Sequence, residues 1–198
     1  MMVKLILAST SKYRAALLKR WGIDFKSIDP KVDEEPYKTR GLSPRELVQA
    51  LSEAKARAVA SEYPEAVVIG SDQVLTANGK IYGKSGDVEA ALVQLMELKG
   101  GTQELLTGLC VIYGEHAFHH VDCTKITLRN FTSLEAREVI ERDKSWDCAG
   151  SLKIEASGTW LIESLETSDP SAIEGLPLIA LGKILRPIHS HDHIFTSP

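Results

Sequence analysis

The sequence predicts a mixed α/β fold. Val3-Lys4-Leu5-Ile6-Leu7-Ala8 is a short apolar run closed by hydroxyl residues and followed by a helical pattern, and Ala66-Val67-Val68-Ile69 is a second such run. Residues 105–113 and 117–128 read as a long hairpin turning at Gly114-Glu115. Short bounded apolar runs are buried strands, and a central hairpin argues against an all-parallel doubly wound sheet.

The first strand passes into a helix predicted over residues 13–21 and stopped at Gly22. Ser9 and Ser11 are N-cap candidates at a helix end that attracts anions, and Arg14 adds a planar fork of donors. These are the parts of a phosphate cradle, without the glycines and lysine of a P-loop; an ordinary capped turn is the plain alternative. After an extended piece near Phe25, Asp29 to Pro36 forms an acidic loop bracketed by prolines, which keep it out of helix. Its adjacent carboxylates suit Mg2+ with phosphate oxygens, or simply solvent.

Ser43-Pro44-Arg45-Glu46 is a capping box opening a helix to about Ser61, with Leu47, Leu51, Ala54 and Ala58 as its buried stripe. Lys55 flanks that stripe and can reach into a cleft. The strand at 66–69 is expected to end in Gly70-Ser71-Asp72-Gln73. An acid leaving a strand there is placed for a base or metal ligand, which makes Asp72 the leading catalytic candidate, a turn aspartate being the alternative. Asn78-Gly79 marks a tight hairpin, returning to Gly83-Lys84-Ser85-Gly86, where flexible backbone lets Lys84 approach a ligand.

A helix over 87–99 buries Ala91, Leu92, Leu95 and Leu98, and Thr132-Ser133-Leu134-Glu135 is a second capping box for a helix to about Arg142. A loop over 147–155, a strand near 159–165, and an apolar helix opened at Gly175-Leu176-Pro177-Leu178 and stopped by Pro187 complete the chain. The tail His189-Ser190-His191-Asp192-His193 suits a stray transition metal or a frayed terminus.

The chain has 198 residues, 43% of them hydrophobic, enough to bury the core of one domain or two lobes sharing a sheet. No stretch is apolar enough to span a bilayer and no leader precedes the first strand, so a soluble protein is expected. The net charge of -4 leaves no general basic field, which disfavours wrapping nucleic acid and favours small anionic ligands in a local basic pocket. Three cysteines without CxxC spacing indicate neither a disulfide framework nor a zinc site, and a reducing cytoplasm is the simplest location.

Taken together, Leu5-Ile6-Leu7-Ala8-Ser9-Thr10-Ser11, Val32-Asp33-Glu34, Lys55-Ala56, Ile69-Gly70-Ser71-Asp72-Gln73, Gly83-Lys84 and Gly175-Leu176-Pro177-Leu178 make the chain resemble the Maf family of nucleotide pyrophosphatases. It looks most like the branch acting on 7-methyl-GTP, which carries Ser-Asp-Gln where the dTTP and UTP branch usually has Ala-Asp-Thr; Cys148-Ala149-Gly150-Ser151-Leu152-Lys153 with Glu155, and Ile173 to Leu181, are also similar to that branch. Lys12-Tyr13-Arg14-Ala15 and Ser85 depart from the usual proline-containing continuations. The resemblance implies the Maf and inosine-triphosphatase-like α/β fold: an elongated mixed sheet flanked by helices, two lobes over residues 1–187 with a central cleft, and a tail over 188–198. A homodimer is compatible with it.

The implied reaction cuts between the α and β phosphates of 7-methyl-GTP, giving 7-methyl-GMP and pyrophosphate and removing a modified nucleotide. Ser9, Ser11, Arg14, Lys55 and Lys84 would bind phosphates. Glu34 and Asp72 would hold Mg2+ or Mn2+, and Asp72 would orient or deprotonate the water. The base is flat and cationic, so Tyr13 suits it by cation–π attraction, Glu155 by accepting from its N1 and N2 edge, and Gln73 by completing the hydrogen bonds. Broader action on dTTP, UTP or other modified nucleotides, and a nucleotide-sensing role in septum formation, are the alternatives.

Overall fold

The computed structural model describes residues 4–192. A seven-stranded mixed sheet is flanked by helices, with strand order β2-β1-β3-β5-β6-β7 and β4 paired to β3. In chain order the elements are β1 (Leu5–Leu7), α1 (Lys12–Arg20), β2 (Phe25–Ser27), α2 (Glu35–Lys38), α3 (Pro44–Ala60), β3 (Val67–Ala77), β4 (Lys80–Tyr82) and α4 (Val88–Leu98). There follow β5 (Thr102–Tyr113), β6 (His116–Leu128), α5 (Ser133–Asp143), β7 (Ile162–Glu166) and α6 (Leu178–Asp192), with 3-10 turns at Ser145–Asp147, Ser157–Leu161 and Pro170–Glu174. Strand β1 runs parallel to β2 and β3, whereas β3 with β4 and β6 with β7 are antiparallel. The chain divides into two compact units, one of residues 4–72, 107–122 and 169–192, the other of 73–106 and 123–168.

The first unit explains why the opening apolar run does not alternate. Leu5, Leu7, Val67, Ile69, Leu109 and Val111 pack on one side with Leu17 and Leu18 of α1 and Leu181, Leu185 and Ile188 of α6. Ile6, Ala8, Val68, Cys110 and Ile112 pack on the other with Ala56 and Val59 of α3. A sheet covered on both faces needs apolar residues at every position.

In the second unit β4 returns from β3 through Asn78 (φ 51°) and Gly79 (φ 77°), both in the left-handed conformation that a tight hairpin demands. Helix α4 is capped by Asp87, whose carboxylate accepts from the Ala90 N–H. Both predicted capping boxes are present, at Ser43 with Glu46 and at Thr132 with Glu135.

Several expectations are corrected. Strand β3 does not end at Gly70 but continues through Ser71 and Asp72 to Ala77. Gly70 marks a close approach of α3: a Cβ there would lie 2.2 Å from the Ser52 carbonyl oxygen. The buried face of α3 is Leu47, Val48, Leu51, Ser52, Ala56 and Val59, rotated from the predicted stripe, with Ala54 and Ala58 half-buried. Pro36 sits in the first turn of α2 instead of closing the acidic loop, and Thr159 to Leu161 form a 3-10 turn before β7. Leu92 is half-buried. Helix α6 also runs through Pro187, and buried Leu185 and Ile188 hold its last turns against the core. The side chains of His189, Ser190, His191 and Asp192, and all of His193, lie outside the described residues, and the metal reading of that tail with them.

Candidate active site

At the end of β1 the chain turns through two serines. Ser11 is the N-cap of α1, its hydroxyl accepting from the Arg14 N–H, while the Ser9 hydroxyl accepts from the Ser11 N–H at 3.1 Å. Arg14, one turn into α1, is held from two sides. Its Nε donates to the Gly175 carbonyl at 2.9 Å and its Nη1 to the Ser9 Oγ at 3.4 Å. Burial pushes the guanidinium below its ordinary value, and the charges of Asp72 and Glu34 pull it back. Arg14 thus belongs electrostatically to an acidic pair contributed by β3 and the loop before α2.

That pair shares one ammonium. Lys55 Nζ lies 2.6 Å from Asp72 Oδ1 and 2.8 Å from Glu34 Oε1. Packing explains the reach: α3 rests against the sheet at two glycines, since a Cβ on Gly108 of β5 would lie 2.3 Å from the Val48 carbonyl oxygen, as one on Gly70 would from Ser52. Val48, Ser52 and Ala56 face that contact at helical spacing, and Lys55 follows Val48 by seven residues, two turns along the same side. Asp72 is 8% exposed within the strand. Burial alone would raise the Glu34 carboxyl. The hydrogen bond and charge of Lys55, with Lys38 and Arg14, outweigh it and hold Glu34 below the usual carboxylate range.

The three adjacent carboxylates of the acidic loop do not act as one cluster. Asp33 accepts from the Glu35 N–H and Glu35 takes the Lys38 ammonium at 2.7 Å, so only Glu34 reaches Lys55. Among the described residues no group of three or more His, Cys, Asp or Glu side chains is arranged to hold a metal. The donor set of Glu34 and Asp72 nonetheless fits a hard divalent cation, because Mg2+ takes one or two carboxylates and draws its other ligands from phosphate and water. In this structure the Lys55 ammonium bridges these two carboxylates.

The structure therefore gathers Ser9, Ser11, Arg14, Glu34, Lys55 and Asp72 in the first unit. Tyr13 lies beside them in sequence on α1, with the Lys12 ammonium 5.2 Å from its ring centroid. Gln73 follows Asp72 in β3 and is the first residue of the second unit. Exposed Lys84 is bridged to Ala149 in that unit, and Ser85, Ser151 and Gln94 join the same two segments by hydrogen bonds of 2.9 Å. Glu155 is exposed in the turn before Ser157–Leu161; Lys153 ties its segment to the Asp143 carbonyl. Cys110, Cys123 and Cys148 are free thiols.

Sequence reasoning missed two participants. Lys38 pairs with Glu35, which raises it, with further contributions from Glu34 and Asp72; its spacing of three and four from those glutamates was the available signal. The Gly175 carbonyl, 161 residues from Arg14 in sequence, carried no local signal.

The family model described as Maf-like protein matches residues 4–188. A protein of Bdellovibrio bacteriovorus named 7-methyl-GTP pyrophosphatase is 41% identical over 182 residues, covering 92% of this chain and 95% of its own. Similarly named proteins of Xanthomonas axonopodis pv. citri and Bordetella avium are 42% and 43% identical, covering 93% and 92% of this chain and 96% and 92% of their own lengths.

Proposed function

From the premise that the chain belongs to the Maf-like protein family, we propose that it hydrolyses the α-β phosphoanhydride of a nucleoside triphosphate, with 7-methyl-GTP the preferred substrate. The observation that carries the reading is the sharing of Lys55 by Glu34 and Asp72 within electrostatic reach of Arg14. An acid pair embedded in fixed cations, buried at Asp72 and open to solvent at Glu34, is what a polyanionic substrate and an attacking water both require.

In this reading Arg14, Lys55 and the Ser9 and Ser11 hydroxyls grip the phosphates, and Lys84 is a further phosphate ligand. Asp72 orients a water toward the α phosphorus and accepts its proton. The new bond joins water oxygen to phosphorus as the bond to the bridging oxygen breaks, and pyrophosphate leaves with that electron pair. Glu34 and Asp72 would hold Mg2+ or Mn2+, which when bound neutralises charge on the phosphate oxygens. Tyr13, Gln73 and Glu155 are assigned to the base, whose cationic ring suits an aromatic face and a carboxylate. Action in the cytoplasm is part of the same proposal; among the described residues no helix is long and apolar enough to cross a membrane.

A panel of nucleoside triphosphates with Mg2+ or Mn2+, scored by pyrophosphate release, tests the proposal. 7-methyl-GTP is expected to give the highest kcat/KM. Comparable values for dTTP or UTP would move the substrate to the broader class, and binding without pyrophosphate release from any nucleotide would make the protein a sensor.

A further inference from the structure

Ser71, the residue before Asp72, is fully buried in β3 and its hydroxyl lies 2.8 Å from two backbone carbonyls, those of Gly108 and Gly175. The Gly175 carbonyl is also the acceptor for Arg14 Nε, so the one Ser71 proton, shared between Gly108 and Gly175, links β3 to the oxygen that holds the guanidinium. Gly175 itself is fixed in place. It closes the turn Pro170–Glu174 with φ 97°, a conformation reserved for glycine, and a Cβ there would press on Arg14 Nε at 3.2 Å. Before it, buried Asp169 accepts from the Ser171 N–H and Oγ with one oxygen and from the Ile179 and Ala180 N–H groups with the other, binding the turn to the start of α6. With Nε committed to Gly175, Nη1 is the nitrogen that reaches Ser9, and the charges of Asp72 and Glu34 act on the same guanidinium.

We propose that Ser71 is a positioning residue that acts through the Gly175 carbonyl to fix the phosphate-binding edge of Arg14, and that it takes no part in reading the base. The proposal rests on the reading of Arg14 as a phosphate ligand. It gives a physical task to the serine of Ser71-Asp72-Gln73 that a base contact cannot, because a fully buried hydroxyl whose single proton is shared between two backbone carbonyls has none left to offer a ligand.

The test is a double-mutant cycle of Ser71→Ala and Arg14→Ala, read by equilibrium binding of inorganic tripolyphosphate and by kcat/KM for 7-methyl-GTP and GTP. Loss of one well-placed hydrogen bond predicts that Ser71→Ala weakens tripolyphosphate binding and lowers kcat/KM about 3- to 10-fold in the parent, equally for both nucleotides. In the Arg14→Ala background the same change is expected to have less than about a 1.5-fold effect, the non-additivity of residues acting as one unit. Equal effects in both backgrounds, or a changed ratio between the nucleotides, would overturn the positioning role while leaving the pyrophosphatase reading intact. Failure of the unmodified protein to bind tripolyphosphate would overturn both. Gly175→Ala is a second variant, expected to reproduce the Ser71→Ala phenotype by pushing on the guanidinium directly.

Discussion

Lys55 decides what the acid pair can do. Two carboxylates brought toward one point repel each other unless a cation lies between, and here the ammonium supplies it. Lys55→Met removes that cation and leaves Glu34 and Asp72 facing each other. The variant is expected to melt below the parent, and Mn2+ is expected to restore it, because an ion binding only the folded state stabilises by mass action. In a chain of this size each kcal/mol so recovered corresponds to about 2–4 °C. A differential scanning measurement checks this, and a variant whose midpoint ignores Mn2+ would rule out the pair as a divalent-ion site. The identities of these residues were legible before the fold was: a serine cap, an arginine one turn in, a lysine beside an apolar stripe, an acid after an apolar run. Their partners were not, because Arg14 finds Gly175 and Lys55 finds Glu34 through contacts no local spacing encodes.

Helix α3 presents Lys55 only because Gly70 and Gly108 let it settle on the sheet, so Gly70→Ala must shift helix or strand. Overpacking of this kind costs about 1–3 kcal/mol, and the expected signature is a lowered denaturation midpoint together with a lowered kcat/KM. Gly182→Ala, inside α6 with its nearest neighbour at an ordinary 3.5 Å from Trp21, should leave the midpoint equal or higher. A Gly70→Ala protein as stable as the parent would refute the close-packing account. Helix α5 makes a pH prediction. The Thr132 backbone N–H, then the Arg129 guanidinium and the Thr132 hydroxyl, pull the Glu135 carboxyl from 4.5 down to about 2. A carboxyl lowered on folding stabilises fully above its unfolded value and loses that contribution as pH falls through its folded one. The difference in melting temperature between parent and Glu135→Ala should therefore be constant above about pH 5.5 and shrink between 4.5 and 2. A gap independent of pH across that window would contradict it. Capping boxes of this kind, like the Asn78-Gly79 hairpin, were readable because cause and effect lie within four residues.

Across the molecule, tertiary packing overrides local punctuation at two places. Gly70 looked like the end of a strand and is an opening for a helix; Pro187 looked like a stop and lies inside α6, held by the apolar residues around it. The alternation of the first unit's strands between two covered faces accounts for the unbroken apolar runs. Under the proposed function Asp72 activates water for hydrolysis of a bound polyphosphate, and Asp72→Asn tests this most directly because it keeps the shape and removes the base. Single-turnover release of pyrophosphate from 7-methyl-GTP, measured beside equilibrium binding of the nucleotide, should fall by about 10²- to 10⁴-fold with affinity largely retained. An Asp72→Asn protein that releases pyrophosphate at the parent rate would contradict the account.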